Sequence, residues 1–147
     1  GGADIGLMGT LARAVSEGGG HVTGVMPEAL RDKRITYDAA DRIIITRDMR
    51  TRKATMARYA DAFVALPGGF GTLEELAETL TERQLQIHEK PVVILNVHGF
   101  YDPLIALFEH FYREQFARRW EGLYDVADTP EAVFAHLDAY AAETSVL

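Results

Sequence analysis

The chain has 147 residues, 48% of them hydrophobic, no cysteine and a formal net charge of -7. That length suits one domain with a sizeable core, and the acidic balance argues against a general nucleic-acid binder. Lack of cysteine removes disulfides, thiolate nucleophiles and Cys-based metal sites together, and no apolar run reaches the ~18 residues of a membrane span.

Short apolar runs alternate with amphipathic stretches along the chain. His21–Val25, Ile43–Thr46, Ala62–Leu66, Val92–Val97 and roughly Leu123–Val126 are predicted strands. Three of them are nearly all apolar, as strands covered on both faces are. Helices are predicted over Leu7–Ser16, Met49–Tyr59, Thr72–His88, Pro103–Arg118 and Pro130–Ala142. The last opens on "TPE", a Thr cap, a Pro at the first helical position and an acid in the first turn. The alternation predicts an α/β fold, a doubly wound parallel sheet with helices on both faces, three layers in all, spanning 1–147 as one domain. The opening "GGADIGLMGTLARAV" reads as a strand-to-helix turn without its strand. The expectation is that a strand–helix–strand segment precedes Gly1, or that the chain is a fragment.

Eleven of the thirteen glycines fall in the first 24 residues or in Gly68–Gly71. Gly68, Gly69 and Gly71 are placed at the carboxyl end of a parallel strand, where open α/β sheets bind ligands. Glycine there permits positive φ and close approach of a ligand to the backbone. A helix opening at Thr72 would present unpaired N–H groups and a partial positive charge to a phosphate. The loop is neither a Walker A sequence nor a complete G-x-G-x-x-G, and a tight turn with no ligand is the alternative. Glu75 has two readings as well. "TLEE" gives Thr72 and Glu75 the spacing of a capping box. The functional reading puts a carboxylate, Glu75 or Glu74, one turn from a bound phosphate and facing the sugar.

In "RDMRTRKATMARYA", Met49, Met56 and Ala60 form an apolar stripe at helical spacing. Arg52 and Lys53 fall on the stripe, whereas Arg50 and Arg58 lie off it. A basic pair on a buried face calls for anionic partners; snorkelling at the helix end is the bland alternative. The five histidines have no metal-ligand spacing, and neither Ser16 nor Ser145 lies in a G-x-S-x-G elbow.

"M-x-x-R-K" at Met49–Lys53 followed by "DAFVALPGGFGTLEEL" resembles the LONELY GUY family of cytokinin riboside 5'-monophosphate phosphoribohydrolases, many once labelled possible lysine decarboxylases. "GGADIGLMG" and "QLQIHEKPVVILNVHGFYDPL" extend the resemblance over almost the whole chain. It implies a Rossmann-like fold, a domain that binds a nucleotide, and hydrolysis of the bond between an N6-substituted adenine and ribose 5'-phosphate. It implies a homodimer in which Met49–Tyr59 and Thr72–His88 contribute contacts. By motif, Arg52 and Glu75 are the catalytic pair. The backbone of Gly69–Thr72, with Thr81, holds the phosphate, and Lys53 helps bind the nucleotide. The full substrate-binding set so implied is Met49, Lys53, Gly68, Gly69, Phe70, Gly71, Thr72, Leu73, Glu74 and Thr81. The chain departs from the family at "TERQL" (Thr81–Leu85), where T-W-x-Q-L is frequent. It departs again at Arg34, where the family often carries an acidic residue implicated in substrate binding.

Such chemistry needs an activated water and stabilisation of an oxocarbenium-like sugar, both within reach of a carboxylate. An arginine can bind phosphate or ribose oxygens bidentately. No metal or cofactor is called for, the partner is a nucleoside 5'-monophosphate, and a cytoplasmic location is expected, with no signal peptide visible. One competing reading is a non-catalytic protein binding a nucleotide or phosphorylated cofactor on the same fold. Another is a pyridoxal-phosphate decarboxylase, which needs a Schiff-base lysine; of Lys33, Lys53 and Lys90, only Lys53 is near the proposed site.

Overall fold

A computed structural model describes residues 1–31 and 35–144. Arg34 lies outside the described residues. The fold is α/β and Rossmann-like, and every pairing between strands is parallel. The chain divides into two compact units, Gly1–Ala60 and Asp61–Leu147.

In the first unit, helix α1 (Gly6–Glu17) leads to strand β1 (Thr23–Pro27), a single helical turn α2 (Glu28–Arg31), strand β2 (Arg42–Thr46) and helix α3 (Met49–Tyr59). β1 pairs with β2 in register Thr23 to Arg42 through Pro27 to Thr46. Gly24 to Pro27 are buried, while β2 exposes Arg42 and Ile45 and buries Thr46. The β1 strand begins two residues later than predicted because the Val22 N–H is taken by the Asp41 carboxylate at 2.7 Å. α3 packs on both strands and has the predicted bounds. Its N-cap is Asp48, whose Oδ1 accepts from the Thr51 N–H at 2.7 Å.

In the second unit, strand β3 (Phe63–Ala65), helix α4 (Phe70–Gln84), strand β4 (Val92–Leu95), helix α5 (Asp102–Arg113), strand β5 (Asp125–Ala127) and helix α6 (Pro130–Thr144) follow in turn. The sheet order is β3-β4-β5. On one face Ala65, Val92 and Ile94 pack with Leu76 and Leu80 of α4, and with Leu104, Ile105 and Phe108 of α5. On the other face Val93, Leu95 and Ala127 meet Val133 and Leu137 of α6. This unit is therefore a three-layer sandwich, and β4 at its centre is buried along its whole length, as its unbroken apolar run predicts. Thr129 caps α6, its Oγ1 accepting from the Ala132 N–H at 3.2 Å, as "TPE" predicts.

The helix ends carry the main departures from the sequence reading. α4 stops at Gln84 instead of His88, and α5 at Arg113 instead of Arg118. Both close in the same way. The Gln86 N–H bonds the Arg83 carbonyl and the Ile87 N–H the Glu82 carbonyl; Gln115 and Phe116 repeat the pattern on Tyr112 and Phe111. This is a Schellman closure, with Gln86 at φ 57 and Gln115 at φ 63 in the left-handed position that glycine usually fills. α1 closes identically through Gly19 and Gly20, so its end was legible and the other two were not.

A glutamine in the left-handed region costs on the order of 1 kcal/mol relative to glycine. Gln115→Gly should therefore raise unfolding stability by about 0.5–1 kcal/mol in urea titrations. The Asp48 cap has a pH signature. The Thr51 N–H, then Arg47, hold its carboxyl at about 2, below the ordinary 3.8. A depressed pKa contributes stability above the unfolded value and loses it as pH falls through the folded one. Asp48→Ala should lower the melting temperature at pH 5, and the difference from the wild type should shrink between pH 4 and pH 2.

Candidate active site

The predicted site residues fall in both units, and each group has its own local logic. In the first unit, Arg52 and Lys53 are half-buried while Arg50 and Arg58 are exposed, as the stripe argument requires. The Arg52 Nε donates to the Val25 carbonyl of β1 at 3.1 Å. This bond sets the guanidinium at the sheet rather than in solvent, with Nη2 beside the Gly1 backbone, and argues against simple snorkelling. Met49 is 47% exposed, so the head of the stripe is not a core position: it is the first residue after the Asp48 cap, where the helix has barely begun to cover the strands.

In the second unit the glycine loop leaves β3 and enters α4. The helix opens at Phe70, two residues before Thr72, with Gly69 as its cap and no side-chain cap bond. Thr72 is thus the third helical residue, not the cap, and Glu75 stands six residues beyond the cap instead of three. A capping box between them is geometrically absent, which removes the capping reading of Glu75. Its side chain is half-buried, whereas Leu73 and Glu74 are exposed on the first turn. Phe70 is 91% exposed.

The three glycines are not equivalent. None has positive φ, so none is explained by a left-handed turn. A Cβ on Gly68 would collide with the Thr72 hydroxyl, which explains that glycine from the fold itself. A Cβ on Gly69 or Gly71 would meet nothing within 4 Å. Gly71 lies inside a helix, where glycine is destabilising by roughly 1 kcal/mol relative to alanine. The fold does not ask for these two glycines, and the space above them is open to a ligand. The early N–H groups of an α-helix lack partners within the helix, and here no side chain of the cap supplies one. They and the helix dipole make a positive, donor-rich surface at a parallel strand's carboxyl end.

Thr81 is separate from this turn. It follows Thr72 by nine residues, which at ~1.5 Å per residue is about 14 Å along the axis, too far for both to hold one phosphate within a chain. Its hydroxyl donates to the Ala77 carbonyl at 2.7 Å. It lines a cavity of ≈ 190 Å³ between α4 and α5, walled by Leu80, Gln84, Phe108, Phe111 and Tyr124. Burial, with Tyr112 and Glu109 nearby, pushes the Tyr124 phenol up to about 12.

Two residues that the motifs did not single out support the loop. The buried Asn96, at the end of β4, accepts from the Tyr101 N–H at 2.6 Å and donates to the Asp102 carboxylate at 2.8 Å. The Tyr101 hydroxyl then donates to the Leu66 carbonyl at 2.6 Å, one residue before the Pro67 that opens the loop. Their local sequence signal is a polar residue breaking the apolar run of β4 and an aromatic before "DP", both within the family-like stretch of residues 84–104. Among the described residues no group of His, Asp and Glu could hold a metal ion, and no helix is long and apolar enough to cross a membrane.

Known proteins match this chain over most of its length. The family described as possible lysine decarboxylase matches residues 8–137. A probable cytokinin riboside 5'-monophosphate phosphoribohydrolase of Oryza sativa subsp. japonica is 52% identical over 80% of this chain and 53% of its own length. A cytokinin riboside 5'-monophosphate phosphoribohydrolase of Arabidopsis thaliana is 52% identical over 74% of this chain and 48% of its own. The chain thus spans about half the length of the curated relatives it matches. Among solved structures, the molybdenum cofactor binding protein of the phototrophic bacterium Rippkaea orientalis aligns with TM-score 0.69 over 95% of this chain and 74% of that one, at 21% identity, a likeness of fold. The family match, covering both the M-x-x-R-K helix and the glycine loop, decides the matter: the chain belongs to the possible lysine decarboxylase family, the LONELY GUY family.

Proposed function

We propose that the protein hydrolyses the N-glycosidic bond of adenosine 5'-monophosphate or its N6-substituted forms, releasing the free base and ribose 5-phosphate. The observation that carries this reading is the pair Gly69 and Gly71, glycines that the fold leaves unexplained at an uncapped helix start. A phosphate seated on the N–H groups of Phe70, Gly71 and Thr72 accounts for both, because a methyl group at either position would stand where the ligand approaches. The names carried by the relatives specify a phosphorylated riboside of the same kind.

In this reaction the bond from C1' to the base breaks, the water oxygen bonds C1', and the two water protons end on the sugar hydroxyl and the base. Glu75, one turn beyond the phosphate turn, serves as the carboxylate that orients the water and stabilises the cationic sugar. Arg52 binds phosphate or ribose oxygens through its fork, and Lys53 adds charge to nucleotide binding. Met49, Gly68, Leu73 and Glu74 belong to the same proposed substrate-binding set. A cytoplasmic location belongs to the same proposal, since nucleoside monophosphates are held inside cells.

Two substitutions test the assignment. Glu75→Gln should fold normally and lose about 10²-fold or more in turnover of adenosine 5'-monophosphate; near-normal turnover would remove Glu75 from the chemistry. Gly71→Ala should be as stable as the wild type or more so by up to about 1 kcal/mol, yet bind the nucleotide at least tenfold more weakly by calorimetry. Unchanged affinity would return Gly71 to an ordinary helix residue.

Homodimerisation is also proposed. Leu85 and Ile87 beyond α4, each 66% exposed, and Phe116 beyond α5, 89% exposed, are large apolar side chains that a monomer would leave in water. Pockets shaped by both chains would follow. Light scattering at micromolar concentration should give the mass of two chains; a stable, active single chain would contradict the assembly.

A further inference from the structure

The glycine loop has no side-chain cap, so something else must hold its N–H groups in one direction. The Pro67 that starts it has no N–H to donate, and the loop glycines have no side chains to pack. The Leu66 side chain packs against the α6 face of the sheet, and its carbonyl is tied to the turn after β4 by the hydrogen bond from Tyr101. Tyr101 is only 5% exposed and belongs to the cluster of Ala65, Leu76, Leu80 and Ile94. That cluster contains the last residue of β3 and the two buried residues of α4. The strand before the loop and the helix after it thus share one packing core with this ring, and the ring's hydroxyl fixes the carbonyl between them.

Tyr101 is itself held on two sides. The Asn96 side chain accepts its N–H, and the Asn96 N–H bonds the Ala127 carbonyl of β5 at 2.7 Å. The turn from Asn96 to Asp102 is shaped by the protein alone: His98 and Gly99 take φ 54 and 70, and a Cβ on Gly99 would collide with the Asp102 carboxylate. Burial raises the Tyr101 phenol above its ordinary value, so it stays a donor.

We propose that Tyr101 is a positioning residue for the glycine loop, its hydroxyl on the Leu66 carbonyl aiming the N–H groups of residues 69–72 at the substrate's phosphate without touching it. The inference rests on the phosphate-binding reading above. Its chemistry predicts an effect confined to phosphate-bearing ligands and to the loop.

Tyr101→Phe in the intact chain removes the hydroxyl and keeps the ring in the core. One neutral hydrogen bond corresponds to a roughly fivefold effect. Amide exchange over residues 66–73 should quicken about fivefold, with Val92–Leu95 unchanged. The KM for adenosine 5'-monophosphate should rise by a similar factor while kcat stays within about twofold. Phe134→Leu, a change at an exposed ring on α6, should do neither. Unchanged exchange over 66–73, or faster exchange spread evenly over both segments, would overturn the positioning role. Ribose 5-phosphate added to the wild type should slow exchange over the same 66–73 amides. If it gives no protection, the phosphate reading fails, while the exchange of Tyr101→Phe still decides whether the hydroxyl orders the loop.

Discussion

Parallel pairing of β3 with β4 is the constraint from which the rest of the second unit follows. Parallel strands send their carboxyl ends to the same edge of the sheet. The turns after β3 and β4 therefore emerge side by side, and Tyr101 after β4 can reach Leu66 after β3. The pairing is itself secured by burial. Val92, Val93 and Ile94 are at most 1% exposed, covered by α4 and α5 on one face and α6 on the other. Burying such side chains stabilises by about 1.5–3 kcal/mol each, and a register slip would turn each of them to the opposite face.

The candidate phosphate site is made from backbone, which reconciles it with an acidic chain. A net charge of -7 gives no long-range attraction for an anion. N–H groups at a helix start act locally and cost no side-chain ordering. Their weakness is that nothing intrinsic fixes their direction when the cap is glycine. Support comes from Tyr101 and Asn96, and the glycines at 69 and 71 leave the approach clear. In the first unit a similar economy holds Arg52: one nitrogen is committed to the Val25 carbonyl, and the Asp48 cap sets where the helix that carries it begins.

All five predicted strands and five predicted helices are present because each has an apolar run or stripe, although α3 and α5 bury no residue outright and β2 exposes Ile45. What the sequence hid was local closure. α4 and α5 end on glutamines in a conformation that glycine signals, so the predicted ends ran on by four and five residues. The start of α4 was hidden for a related reason: Thr72 and Glu75 mimic a capping box, yet the helix begins earlier, on the exposed Phe70. The M-x-x-R-K helix has its predicted bounds and its basic pair half-buried, while Met49 lies more open than its place on the stripe implies. Thr81 shares a motif with the glycine loop but sits more than two turns along the same helix, a separation visible only once α4 is known to be continuous. Asn96 and Tyr101 lie in the family-like stretch of residues 84–104, but no local spacing singles them out, since their role depends on two loops meeting.

The central claim is that the loop after β3 recognises a phosphate and that the bond cut is glycosidic. Chromatography of reactions with adenosine 5'-monophosphate and with adenosine tests both halves together. The account predicts free adenine and ribose 5-phosphate from the nucleotide and no adenine from the nucleoside. Release of inorganic phosphate with adenosine left intact, or equal cleavage of nucleotide and nucleoside, would contradict it.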